Sequence, residues 1–111
     1  ISNKILDQSH KGISGKDLKS FSEELGFFAF VYRGEIENMK ENIKKGRPLI
    51  VVLRSQATSG FHYVVAVGFD ENLSLVFVND PYFGKLKRIN IQDFSERWKE
   101  ADYWTLLLLP K

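Results

Sequence analysis

No cysteine occurs in the 111 residues, so the chain forms neither disulfides nor thiolate-held metal sites. Histidine is nearly as scarce. His10 and His62 are the two present, too few and too far apart in sequence to suggest zinc. Neither sign of charge dominates: sixteen basic against fourteen acidic residues leave +2, and the signs are interspersed. That pattern carries no electrostatic footprint for nucleic acid or an anionic membrane surface. Long apolar runs are missing too, since Val64 to Val67 and Leu106 to Leu109 fall far below the roughly 20 residues of a bilayer span. There is no membrane insertion to expect from this chain. No signal peptide is recognisable, and Ile1 is not an initiator methionine, so the sequence reads as part of a longer polypeptide. Internal repeats, low-complexity tracts and linkers are also lacking.

What is present suffices for one packed core: 43% of residues are hydrophobic and 14% aromatic, and the length fits one domain spanning 1–111. Ser2 can cap a short helical turn through Leu6, and a polar loop containing His10 follows. Ser14 with Asp17 three residues later resembles a capping box, and Leu18, Phe21 and Leu25 supply the apolar stripe of a helix that Gly26 ends. Phe27 to Tyr32 reads as an edge strand. Ile36, Met39 and Ile43 predict a second helix, closed by Lys44-Lys45-Gly46, where cations meet the negative end of its dipole. Pro48 to Leu53 is continuously apolar and predicts a central strand buried on both faces. After the loop from Arg54 to Gly60 come a hairpin, a turn at Asp80-Pro81-Tyr82-Phe83-Gly84, and a strand over 85–89 with Leu86 and Arg88 on one face. Asn90 and Asp93 cap a helix through Trp98 with Ile91, Phe94 and Trp98 at helical spacing, and Tyr103 to Leu109 is the last strand. Trp98, Trp104, Phe27 and Phe28 read as core. This order of elements predicts α+β: a mainly antiparallel sheet with packed helices.

The hairpin runs from Phe61-His62-Tyr63-Val64-Val65-Ala66-Val67-Gly68-Phe69 through Asp70-Glu71-Asn72 to a return arm ending at Asp80. With a three-residue loop, Phe69 faces Leu73, Val64 faces Val78, and His62 falls opposite Asp80. Directly opposed residues share a face with Cβ atoms about 4.5–5.5 Å apart, within hydrogen-bonding reach for an imidazole and a carboxylate. A slip of one residue separates them. Alternation sends Asn79 to the face opposite His62, and Asp80 before Pro81 is also ordinary turn chemistry. Ser55 and Ser59 precede His62, but nothing around them resembles a nucleophile elbow. The loop that holds Ser59 and Gly60 reads better as a cleft wall, and Tyr82 beside the pair reads as a groove-lining or core-packed ring.

Gly46-Arg47-Pro48-Leu49-Ile50-Val51, then His62 to Gly68, then Val78-Asn79-Asp80-Pro81 with Gly84, then Phe94 to Trp98 and Trp104 to Leu107 form an ordered set. It resembles the C39-type cysteine peptidases: double-glycine leader peptidase domains of bacteriocin exporters and stand-alone relatives, papain-like in fold. The resemblance implies that His62 is a general base and Asp80 its orienter. It also implies a cysteine and an oxyanion glutamine on a first helix, and this chain has no cysteine. Gln8 and Gln56 do not match that glutamine's place.

The expectation is therefore a papain-like C39 domain lacking its first helix, with catalytic residues His62 and Asp80 and substrate contacts at Ser59, Gly60 and Tyr82. No metal or other cofactor is called for. Partners implied are a peptide or protein substrate and something covering the side of the sheet that the absent helix would leave bare, either an upstream segment or another chain. Alone, the chain should be inactive as a thiol peptidase. The alternative is a non-catalytic peptide-binding module. The family's bacterial character, and its ties to export and the envelope, give the lean on location.

Overall fold

The computed structural model describes residues 14–56, 60–80 and 85–111. The turn expected at Ser2 to Leu6, and His10, lie outside them. The elements in chain order are α1 (Gly15–Glu24), β1 (Phe27–Arg33), α2 (Ile36–Lys44), β2 (Leu49–Arg54), β3 (Phe61–Asp70), β4 (Leu75–Asp80), β5 (Lys85–Asn90), α3 (Ile91–Lys99) and β6 (Trp104–Pro110). The six strands form one sheet in the order β1-β6-β2-β3-β4-β5, and every pairing in it is antiparallel. This is the α+β architecture read from the sequence. The last strand is inserted between the first two, which leaves β1 and β5 as the edges.

β2 alternates between two buried faces, as its unbroken apolar sequence requires. On one face Leu49, Val51 and Leu53 join Val64, Ala66, Val76 and Val78 beneath Met39 of α2 and Phe94 and Trp98 of α3, all at most 1% exposed. On the other, Val52 packs with Ala29, Trp104 and Leu106, with Leu18 of α1 at its margin. The helices begin where capping chemistry puts them: Asp17 N–H donates to Ser14 Oγ at 3.1 Å, and Gln92 N–H to Asn90 Oδ1 at 2.8 Å.

Two core assignments are corrected. In α1, Phe21 is 53% and Leu25 61% exposed, while Gly15 and Ser22 are buried. The helix turns its small-residue side inward because it lies against an indole: a Cβ on Gly15 would stand 2.9 Å from a ring carbon of Trp104. Ser22 meets burial by donating its hydroxyl to Leu18 O at 2.8 Å. Phe28, on the edge strand, is 50% exposed, because strand alternation turns it to the side opposite Ala29, which is the residue that enters the cluster.

Gly34 ties β1 to the core. Its N–H donates to Tyr103 O at 2.8 Å, and a Cβ there would come within 2.5 Å of the Trp98 ring and closer still to Thr105 Oγ1. A side chain at this position is excluded by contact rather than by backbone angle.

Candidate active site

The loop between β3 and β4 is longer than the sequence reading assumes, and the strand bears a bulge. Asp70 Oδ1 accepts from Leu73 N–H at 3.1 Å, and Ser74 adopts a positive φ of 53°, so Asp70 pairs with Leu75 rather than lying in the turn. That is an odd displacement from the expected pairing. Carried straight down the hairpin, it would set His62 and Asp80 on opposite faces. The register shifts again between Ala66 and Gly68, where Val67 is extra, and Ala66 then faces Val78 and Val65 faces Asn79. Counting on, Val64 is level with Asp80. His62 is therefore not directly opposite Asp80 as expected but diagonal to it, two residues along and on the same face. Diagonal neighbours stand about 7–8 Å apart at the backbone, a gap that long side chains bridge. Asn79, as alternation requires, is exposed on the other face.

His62 Nε2 lies 3.4 Å from Asp80 Oδ2, with the two side chains 12% and 3% exposed. This is longer than the roughly 2.7–3.2 Å of a well-formed N–H···O bond, yet short enough for strong electrostatic coupling. Burial pushes the imidazole below its ordinary value of 6.5; Asp80's charge opposes the shift, while Arg97 and Lys87 add to it. The apolar surroundings follow from pairing, since β2 places the fully buried Leu53 directly opposite His62.

The pair opens into a pocket of about 230 Å³ whose floor is Val64, Val78 and Ile89 and whose walls include Ser55, Gln56, Lys87 and Arg97. A volume of this size suits one side chain rather than a whole ligand. α3 supplies one wall through a network: Arg97 Nε–H donates to Arg54 O at 2.7 Å, Arg97 Nη1 is 3.7 Å from Asp93 Oδ2, and Gln56 Nε2–H donates to that oxygen at 3.2 Å. Gly60 closes the adjoining loop by accepting Ser55 N–H at 2.8 Å. Ser59 and Tyr82, the other substrate-contact candidates, lie outside the described residues.

Lys87 and Arg97 are site residues that the sequence reading does not single out. Leu86 and Arg88 are the exposed positions of β5 and alternate with the partly buried Lys87 and Ile89, although Arg88 lines the pocket along with those two. The parity of Lys87 with Ile89 is the signal that could have found it. Among the described residues no three His, Cys, Asp or Glu side chains gather to hold a metal, and no helix is long and apolar enough to cross a membrane.

A family model described as Peptidase_C39 like family matches residues 7–105. The chain belongs to that family. Among solved structures, this C39-like chain is similar to the peptidase domain of Streptococcus ComA, a bi-functional ABC transporter of a quorum-sensing pathway. The TM-score is 0.68 at 17% identity, over 97% of this chain and 77% of that one. It is also similar to a C39-like peptidase from Bacillus anthracis, with TM-score 0.64 and 16% identity over 84% of this chain and 55% of that one. The chain thus spans about half the length of the latter protein. At such identities the likeness is one of fold. A comparison with curated protein sequences returns no match.

Proposed function

We propose that the chain is the histidine-aspartate portion of a C39-like cysteine peptidase, with the nucleophilic cysteine and an oxyanion donor carried by polypeptide outside these 111 residues. The observation that carries this reading is the 3.4 Å approach of His62 Nε2 to the buried Asp80 Oδ2 in a chain of this family. Asp80 holds the ring by its Nε2 edge, so acid–base work on a thiol falls to Nδ1. A His62 kept neutral by burial takes the thiol proton and later returns it to the leaving amine. Substrate contacts to an extended peptide are assigned to Gly60, Ser59 and Tyr82. The likeness to an exporter's peptidase domain supports peptides bound for export as the substrate class.

A second reading rests on a specific observation, the absence of any cysteine: a module that binds peptide without cutting it. The deciding experiment assays the complete product of the gene against a fluorogenic double-glycine leader peptide, with and without iodoacetamide. The peptidase reading expects thiol-sensitive turnover that falls by at least about 100-fold in His62→Ala. Peptide binding without turnover in the complete product favours the binding module, and turnover that survives His62→Ala overturns the role of the pair.

A further inference from the structure

The His62–Asp80 pair has a third charged neighbour. Asp80 is 3% exposed, and the imidazole beside it is pushed by burial toward its neutral form. A cation within reach comes from the strand on the other side of β4. Lys87 Nζ lies 3.8 Å from Asp80 Oδ2, the same oxygen that faces His62.

The register explains the approach. Asp80 pairs with Lys85 and Val78 with Lys87, so Lys87 is diagonal to Asp80 and on its face, as His62 is from the β3 side. Asp80 is thus flanked by an imidazole from one neighbouring strand and an ammonium from the other. The Lys87 side chain is 40% exposed, which allows its head to stay hydrated while its stem runs along the pocket wall beside Ile89.

We propose that Lys87 is a positioning residue of this site: its ammonium shares Asp80 Oδ2 with the imidazole and so sets the proton affinity of His62. Its importance for catalysis rests on the peptidase reading, but its action on the ring does not. The charged groups facing His62 among the described residues are Asp80 from β4, Lys87 from β5 and Arg97 from α3, and Arg97 is engaged with Asp93. Removing Lys87's charge leaves Asp80 to stabilise the imidazolium with less opposition.

The test is an NMR titration of the histidine ring protons on the complete product of the gene, with the His62 signal assigned by its loss in His62→Gln. Lys87→Met is expected to raise the pKa of His62 by about half a unit or more, and Lys87→Arg to hold it within about 0.2 units of the parent. In an Asp80→Asn background the difference between Lys87 and Lys87→Met should shrink, since the shared carboxylate charge is gone. Lys87→Gln gives the same reading should Lys87→Met fail to fold. A folded Lys87→Met or Lys87→Gln protein whose His62 titrates within about 0.2 units of the parent, or lower, overturns the proposal. The titration needs no nucleophile, so a negative peptidase assay leaves it standing, and a null titration leaves the peptidase question open.

Discussion

The two faces of the sheet are finished to different degrees. Beneath α2 and α3 the cluster of Met39, Leu53, Val64, Val78, Phe94 and Trp98 is closed, with none of them above 1% exposed. On the α1 side the buried set among the described residues is half as large, five residues against ten, with partly buried apolar residues such as Leu18 and Ile50 on this face and Ile36 and Ile43 on the other packed around each. His62 and Asp80 sit on the closed face, at its rim. The comparison teaches that the perturbed histidine is a product of packing density. Leu53 across the strand and the α3 wall strip water from the ring, and the low polarizability of such surroundings disfavours its charged form.

The contrast is broken most forcefully at Trp98. This ring is fully buried, packs edge-on against Tyr103 at 5.4 Å between centroids, and donates its indole N–H to Trp104 O at 3.2 Å. Trp98→Ala should cost about 3–5 kcal/mol, read as a lower midpoint in urea unfolding. Leu18→Ala on the half-buried margin of the other face should cost about 1–2 kcal/mol by the same measurement. Equal losses would show that the two faces carry the fold alike.

A smaller effect sharpens the comparison at the rim. The folded His62 has a pKa below the ordinary 6.5, so between those two values the unfolded chain binds more protons than the folded one. Stability therefore rises with pH across that window, and is lost as pH falls through the lowered value. Unfolding midpoints measured on either side of the window should differ in the parent and less so in His62→Gln. A parent curve as flat as the variant's would mean that the ring is not desolvated.

The smallest effect belongs to the edge strand. Phe28 is half exposed on β1, outside both clusters, so Phe28→Ser should change unfolding stability by no more than about 0.5 kcal/mol. Because β1 is an edge strand among the described residues and carries Phe28, Phe30 and Val31 at 41–50% exposure, the same change should improve solubility at high concentration. A loss of several kcal/mol would place Phe28 in the core after all.

Much of the fold was legible because it is locally encoded. Ser14 and Asn90 cap helices through their own side chains, Met39 and Phe94 lie at helical spacing toward the core, and β2 is apolar from Leu49 to Leu53 because a core cluster lies against each of its faces. The helical stripe failed in α1, where Phe21 and Leu25 are apolar but Trp104 selects the side with no bulk to accommodate. Of the site, His62 and Asp80 could be read as a pair, but the route that brings them together could not.

Residue types and their order determined that this chain has α+β elements, an apolar hairpin with histidine entering it and aspartate leaving it, and no thiol of its own. Their meeting was decided by tertiary structure. The turn at Ser74 and the bulge at Val67 displace the register twice, and only both together return the two side chains to one face. Lys87 reaches Asp80 only because β5 docks on the far edge of β4. The physical reason is the two-residue period of a strand: which face a side chain takes depends on every turn and bulge before it, and those are settled by the backbone conformations that packing selects.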